Sequence, residues 1–451
     1  MTMQTILILG GGKSSTFLID YLADTCLTKS RKVLLADLDL ELAKSKLNGR
    51  KNTEAKSLNI ESEQEREKLI SEADLVVSML PAFLHPIVAK TCLKLGKHFF
   101  SASYESDEMK SLKSEIESKG LFFLNECGLD PGIDHMSAMK IIHEAKDKGD
   151  DILSFKSYCG GLLAPMSEDN PWKYKFTWNP RNVVLAGQGV SRYIEKGDLK
   201  FVPYHQVFKR TETLHFDRLG DFDGYPNRDS LNYRKVYGLE NIQTMLRGTL
   251  RRAGFCKAWD VFVQLGLTDN SFEMELPEGS SLKNFLNTFL PFNQDLSVEE
   301  KLAEAIPTMD FPTFEKIQWL GFFGNRKLPK TKGSPAAILQ AILEEDWALY
   351  PEDIDMIVMQ HLFEIKSAAS IKKITSSLVC FGEDSVYTAM AKTVGLPLAI
   401  AVDLFLDKKI TLKGLHVPVL PEIYEPILSE LSARGIHFVD KEEILTGTGS
   451  N

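Results

Sequence analysis

Ile6-Leu7-Ile8-Leu9-Gly10-Gly11-Gly12-Lys13-Ser14-Ser15 is the stretch that decides the fold of this 451-residue chain. Four apolar residues run into three glycines, and a helical pattern follows over Thr16–Ala23. A second apolar run, Val33-Leu34-Leu35-Ala36, ends in Asp37. Strand, glycine turn, helix, strand and terminal acid, in that order, begin a dinucleotide-binding unit. The first glycine allows the tight turn. The second lets a pyrophosphate approach the backbone, and the new helix offers it free N–H groups. An acid closing the second strand can accept hydrogen bonds from the adenosine ribose. The spacing fits G-x-G-x-x-G with Ser15 in the last place, where a small residue still lets helix and strand pack. The cofactor contacts expected here are Gly10, Gly11, Gly12, Lys13, Ser14, Asp37, Leu38 and Asp39. The alternative is a structural turn in some other α/β fold.

Outward from this stretch, strands and helices alternate. Further strands are expected at Ala55–Ile60, Leu75–Leu80, His98–Phe100 and Leu121–Leu124. Helices are expected at Glu41–Lys46, Glu63–Glu72, Pro86–Leu95, Asp107–Lys119 and Ile133–Lys148. Such alternation predicts an α/β Rossmann domain, a doubly wound parallel sheet with helices on both faces. Ligands bind these sheets outside the carboxyl ends of the strands. Pro81-Ala82-Phe83, Ser101-Ala102-Ser103-Tyr104 and Asn125–Gly132 should therefore face the ligand, and Asn59 and Ile60 are assigned to the cofactor. After Asp150 the pattern changes. A strand Leu153–Cys159 ends in Gly160-Gly161, and loops run to Arg181. A mostly helical part spans Asn241–Tyr350, and strands Ile354–Gln360 and Ile374–Phe381 follow. Helices Val386–Val394 and Leu398–Leu406 come last. The organisation expected is a Rossmann domain over 1–130, a mixed α/β substrate domain over 131–240, and a helical insertion over 241–350. A return to the substrate domain over 351–395 and C-terminal helices over 396–451, packed on the Rossmann domain, complete it.

The formal net charge of −9 argues against broad nucleic-acid binding, although a local arginine cluster could still hold an anionic substrate. Six cysteines form no C-x-x-C pair, which gives no metal or redox motif and suits a reducing compartment. The chain opens almost at once on a core strand and shows no apolar run of membrane-spanning length. The expectation is a cytoplasmic protein with a small-molecule substrate and with neither a nucleic-acid nor a membrane partner.

At Gly128-Leu129-Asp130-Pro131-Gly132-Ile133-Asp134-His135 the sequence resembles saccharopine dehydrogenase of the glutamate-forming type, also called saccharopine reductase. Ser157-Tyr158-Cys159-Gly160-Gly161-Leu162 is similar to a second motif of that family. Asn170-Pro171 with Tyr174-Lys175-Phe176 is similar to a third. Tyr225–Ser230, Leu246–Arg251 and Met390–Gly395 resemble three more, so the likeness runs from about Thr5 to about Asp440. The resemblance implies an NAD(P)-dependent oxidoreductase of lysine metabolism and a homodimer. Its substrate, saccharopine, would be interconverted with L-glutamate and 2-aminoadipate 6-semialdehyde by hydride transfer and imine hydrolysis. Two alternatives stay open. One is a sister oxidoreductase acting on carboxynorspermidine or lysine; the other is a non-catalytic, cofactor-sensing protein.

Saccharopine carries three carboxylates, and arginine grips carboxylates bidentately. The resemblance implies substrate contact at Arg228 and around Thr244, Met245 and Leu246, and Arg247 is a further candidate. The plainer reading makes Arg247, Arg251 and Arg252 a solvated helix face. Asp130 is assigned to the reacting amine, against the plainer reading of a helix N-cap before Pro131 and Gly132. The same resemblance implies substrate contact at Ser103 and Tyr104, and sets Leu80, Ala102, Ser103, Leu129, Asp130, Pro131 and Asn179 beside the cofactor. Cys159 is a candidate for proton transfer, although such a cysteine is more often a small buried hydrophobe. Tyr104 and Lys175 are other candidates, and His135 reads as helix packing. Asp37 should repel the 2′-phosphate of NADP. Leu38 stands where NADP-using relatives tend to carry arginine, and Asp39 adds a second acid. Lys44 and Lys46 could reach a phosphate. On balance NAD is expected over NADP.

Overall fold

The computed structural model of this protein describes residues 3–368 and 370–447. It divides into two compact units. One holds the chain to Asp150 together with Leu378–Val439, and the other holds Asp151–Ser377 with the segment from Asp440.

The first unit is built on seven strands: β1 (Gln4–Leu9), β2 (Arg31–Asp37), β3 (Thr53–Ser57), β4 (Leu75–Ser78), β5 (His98–Ser101), β6 (Phe122–Leu124) and the late β17 (Gly414–His416). All pair in parallel, in the order β17-β6-β5-β4-β1-β2-β3. The order reverses between β1 and β4, which opens a crevice at their carboxyl ends. Ile6, Leu7, Ile8, Val33, Leu35, Val76 and Val77 are fully buried, as strands covered on both faces require. Asn59 and Ile60 lie just past β3, which ends at Ser57 rather than continuing to Ile60.

The helix Thr16–Thr28 packs against a long helix, Ala389–Leu406. A Cβ on Gly395 would stand 2.9 Å from the Leu18 backbone nitrogen, so this glycine sets the close approach. Lys29 and Arg31 at the start of β2 form ion pairs with Asp403 and Asp407 at the far end of that helix. The sequence suggested two helices broken near Pro397, but the structure has one. Burial of both flanks outweighs the cost of a proline inside a helix, a lost hydrogen bond and a ring clash together worth about 3 kcal/mol. By length and composition this helix is long and apolar enough to cross a membrane, contrary to expectation, and 72% of it is buried inside the protein.

The unit boundaries also depart from those expected. Helix Ile133–Asp147 stays with the first unit, so the division falls at 150 rather than 130, and the chain returns to that unit at 378 rather than 396.

The second unit carries a nine-stranded mixed sheet. Its main path is β10 (Glu212–Phe216), β11 (Gly220–Pro226), β12 (Thr244–Arg252), β7 (Asp151–Leu163), β15 (Asp355–Lys366), β16 (Ser370–Phe381) and β18 (Val439–Gly447). A hairpin of β8 (Val190–Glu195) and β9 (Asp198–Pro203) joins the sheet through Ile194 opposite Met245. β7 runs straight through Gly160-Gly161, which the sequence suggested as its end. A Cβ on Gly160 would meet the Leu250 carbonyl oxygen at 2.7 Å, so the glycine serves close packing beside β12 and is no turn. The helical part begins only after β12, at Phe255, with helices to Asp346 and a short ribbon of β13 (Met274–Glu275) and β14 (Lys332–Gly333). Its core is aromatic: Trp172 stacks on Phe262 at 5.8 Å, and Trp259 and Trp347 are buried around it.

Candidate functional site

In the first unit the glycine turn has the shape a dinucleotide needs. Gly10 has φ +99°, and a Cβ there would lie 3.0 Å from the Met79 carbonyl oxygen and 3.5 Å from the Leu80 side chain. Gly12 is the opposite case, with nothing within 4 Å of its missing Cβ. That open space lies at the start of helix Thr16–Thr28, whose first N–H groups have no partner within the helix. Lys13 is exposed and Ser14 half-buried in the short 3-10 turn that precedes the helix. These residues fit a pyrophosphate.

Asp37 ends β2 as expected, but its carboxylate is already engaged. Oδ2 accepts the Gly11 N–H at 2.7 Å and Oδ1 accepts the Asp39 N–H at 3.0 Å. Asp39 in turn caps helix Leu40–Leu47. Leu38 is 75% exposed. Lys44 is paired with Glu41 at 2.8 Å, and Lys46 donates to the Thr16 hydroxyl at 2.6 Å. Asn59 is exposed and accepts the Glu61 N–H, while the Ile60 carbonyl accepts from Arg66.

The loops after β4, β5 and β6 carry the polar groups. The signature Gly128–Gly132 closes on itself: the Gly128 N–H donates to the Pro131 carbonyl at 3.0 Å, and the Ile133 N–H to the Gly128 carbonyl at 2.9 Å. A Cβ on Gly132 would fall 2.1 Å from the Gly128 oxygen, so only glycine fits. The Ala102 Cβ lies 2.9 Å from where a Gly128 Cβ would stand, which presses the β5 and β6 loops together. Leu129 and Pro131 are buried in this loop, and Asp130 is half-buried. The Tyr104 hydroxyl donates to Asp130 Oδ1 at 3.3 Å. Asp130 is not the helix cap. The N-cap of Ile133–Asp147 is Gly132 without a side-chain bond, and Asp134 Oδ1 accepts the Gly132 N–H at 2.6 Å.

His135 is wholly buried, with Nε2 2.8 Å from Glu126 Oε2. Glu126, at φ +56°, also accepts the Glu105 N–H at 2.8 Å. The sequence places Glu126 in the ligand-facing segment Asn125–Gly132 without a role of its own, and it gives none to His85, which lies between Ser78 and Ser103.

In the second unit Arg247, Arg251 and Arg252 lie on strand β12 and are buried, which removes the reading of a solvated helix face. The Arg247 guanidinium lies 4.3 Å over the Tyr233 ring, and the Arg247 backbone N–H donates to Ser230 Oγ at 2.8 Å. Arg251 is surrounded by the rings of Tyr174, Phe255 and Tyr225. Thr244, Met245 and Leu246 occupy the first half of β12 and are buried, Met245 completely. Arg228 is exposed, with φ +50°, and its carbonyl accepts the Arg192 N–H at 2.8 Å. Cys159 is buried on β7 opposite Thr249 of β12. Lys175 is held by Asp169 at 2.6 Å and Asp353 at 2.8 Å. Burial alone would lower its pKa, but those two carboxylates raise it, so it stays a cation and cannot serve as a base. Asn179 is exposed, and its side-chain oxygen caps helix Pro180–Val184 through the Arg181 N–H. That oxygen is spent on the cap. Among the described residues no group of His, Cys, Asp and Glu is arranged to hold a metal.

Residues 6–124 match the saccharopine dehydrogenase NADP binding domain, and residues 128–436 match the saccharopine dehydrogenase C-terminal domain. The chain is 36% identical over 447 residues to the mitochondrial alpha-aminoadipic semialdehyde synthase of Mus musculus, covering 97% of this chain and 48% of that protein. It thus spans about half the length of such relatives. It is 33% identical to the saccharopine dehydrogenase [NADP(+), L-glutamate-forming] of Schizosaccharomyces pombe, covering 98% of this chain and 99% of that one. The solved apo saccharopine dehydrogenase (L-Glu forming) of Saccharomyces cerevisiae superposes with a TM-score of 0.89 at 32% identity, covering 98% of this chain and 100% of that one. These findings overturn the expectation of NAD over NADP, since the matched domain and the fungal relatives are NADP-binding. The expectation weighed the Asp37 carboxylate alone; its oxygens also accept the Gly11 and Asp39 N–H groups, and Lys13 and Lys44 are exposed cations on the glycine turn and on the helix after β2. By its sequence over the whole length and by its fold, the chain belongs to the saccharopine dehydrogenase family.

Proposed function

We propose that this protein is an NADP-dependent, glutamate-forming saccharopine dehydrogenase, an oxidoreductase of lysine metabolism. It would interconvert saccharopine with L-glutamate and 2-aminoadipate 6-semialdehyde. The observation that carries this reading is the self-closed Gly128–Gly132 loop at the carboxyl edge of the sheet, with Asp130 in contact with Tyr104. The bound nicotinamide would supply hydride exchange with the substrate carbon that bears the secondary amine.

The rest of the work falls to the protein. The Gly10–Gly12 turn and the start of helix Thr16–Thr28 hold the pyrophosphate. The Asp130 carboxylate accepts a hydrogen bond from the reacting amine, and Tyr104 fixes its orientation. Arg228 supplies an exposed guanidinium for a substrate carboxylate. Arg247, bound to its ring and strand, supports the Arg228 loop through backbone bonds: its carbonyl accepts the Asn227 N–H at 2.9 Å. Cys159 is the remaining thiol candidate for proton transfer, and Lys175 is not one. The test is saccharopine-dependent formation of NADPH by the purified protein, with glutamate as product. Turnover of lysine or carboxynorspermidine in place of saccharopine would move the protein to a sister activity, and no turnover of any of them would remove the enzymatic reading.

A further inference from the structure

His85 is a buried histidine that the reaction as described does not use. It opens helix His85–Leu95 after β4 and is 5% exposed. Its Nδ1 lies 2.8 Å from Ser78 Oγ at the end of β4, and its Nε2 lies 2.7 Å from Ser103 Oγ, just past β5. The imidazole thus bridges two neighbouring strands at the carboxyl edge of the sheet.

Hydrogen-bond accounting assigns the proton. Ser78 is 1% exposed, and among the described residues its hydroxyl has one partner, Nδ1 of His85. If Nδ1 carried a proton, the Ser78 O–H would be a buried donor without an acceptor, which costs about 1–3 kcal/mol. The Ser78 O–H therefore donates to Nδ1. Burial lowers the pKa of His85 to about 4, so the ring is neutral and its one proton sits on Nε2. Nε2 then donates to Ser103 Oγ. The Ser103 oxygen is filled as an acceptor on that side, and its own O–H is directed elsewhere. The Ser103 N–H is fixed on Ser101 Oγ at 3.0 Å, and its carbonyl accepts the Glu126 N–H at 3.0 Å, so the residue cannot swing away.

We propose that His85 is a positioning residue that sets the Ser103 hydroxyl as a hydrogen-bond donor toward a carboxylate oxygen of the bound amino acid. This rests on the reading of the reaction given above. The chain Ser78, His85, Ser103 passes one hydrogen-bond direction from the strand interior to the ligand. An O–H held as a donor favours a carboxylate at that point.

Two measurements test it on the full chain. Multiple-bond proton–nitrogen NMR of the cofactor-free protein, with labelled histidine, should show the His85 proton on Nε2. A proton on Nδ1 overturns the proposal, whatever the enzyme turns over. The second is a double-mutant cycle on saccharopine-dependent NADPH formation. Ser103→Ala and His85→Asn should each lower kcat/KM for saccharopine roughly ten- to hundredfold. The double variant should be no worse than Ser103→Ala alone. Additive losses, or a loss confined to KM for NADP, overturn it. If His85→Asn does not fold, Ser78→Ala replaces it: freeing Nδ1 should lower kcat/KM in the wild-type Ser103 background and not in Ser103→Ala. A wild-type protein without saccharopine activity would sink the functional reading and leave the NMR assignment standing on its own.

Discussion

Gly395→Ala sets two effects against each other inside one helix. Alanine in a helix interior is favoured over glycine by about 1 kcal/mol. At this position the new methyl would lie 2.9 Å from the Leu18 backbone nitrogen, 3.2 Å from the Leu18 Cβ and 3.4 Å from the Ser14 carbonyl oxygen. Two of those atoms are backbone, so the strain cannot be relieved by rotating a side chain. The helices Thr16–Thr28 and Ala389–Leu406 must move apart by a few tenths of an ångström or more. Overpacking of this kind costs about 1–3 kcal/mol, which outweighs the propensity gain. The net destabilisation expected is about 0–2 kcal/mol, or a few degrees in Tm. The displacement bears on Ser14, next to the glycine turn, so NADP affinity should fall several-fold as well. Thermal unfolding by circular dichroism reads the first effect, and a fluorescence titration with NADPH reads the second. A variant with higher Tm and unchanged NADPH affinity would falsify the argument, because it would show that the two helices have slack where the geometry gives none.

Three further outcomes are expected. Arg228→Ala should raise KM for saccharopine about tenfold or more, through loss of a charged partner for a carboxylate, with KM for NADP unchanged; equal KM values in variant and wild type would return Arg228 to the surface. Asp130→Asn should cut kcat sharply with little change in Tm, since the helix start is served by Asp134 and not by Asp130; a clear fall in Tm with full activity would make Asp130 structural. Burial alone would raise the Asp403 carboxyl, but hydrogen bonds from Lys29 and Arg31 hold it below its usual range. Its contribution is therefore full above about pH 4 and lost as pH falls below that, so Asp403→Asn should lower Tm at pH 7 and bring the two proteins closer in acid. A Tm difference that stayed constant across that range would count against the ion-pair cluster.

Much of this protein was legible from residue order alone. Ile6–Ser15 and the alternation to Leu124 specified a parallel sheet because each strand is an apolar run between polar turns, and burial on both faces leaves few other arrangements. The glycines of the turn after β1 could be read as glycines by need, since a pyrophosphate must approach the backbone there, whereas the need for glycine at Gly132 shows only in the folded loop. The hairpin of β8 and β9 was passed over. Its only local mark is the two-residue turn Lys196-Gly197, both at positive φ, between strands with weak alternation.

Other features were decided only by the tertiary structure, because they depend on what a side chain meets and not on what it is. Asp37 stands where an acid can bind a ribose, and in the fold its oxygens also accept the Gly11 and Asp39 N–H groups. Gly160-Gly161 looks like a turn in sequence and is part of a continuous strand packed closely beside Leu250 of β12. Arg247, Arg251 and Arg252 recur at a spacing that suits a helix face as well as a strand, and pairing with β7 and β11 makes them a strand. Lys175 looks like a base until Asp169 and Asp353, the latter nearly two hundred residues on, fix its charge. Sequence determines local shape because backbone preference and apolar period act over a few residues. Charge state and hydrogen-bond direction are set by partners that only the folded chain brings within about 3 Å.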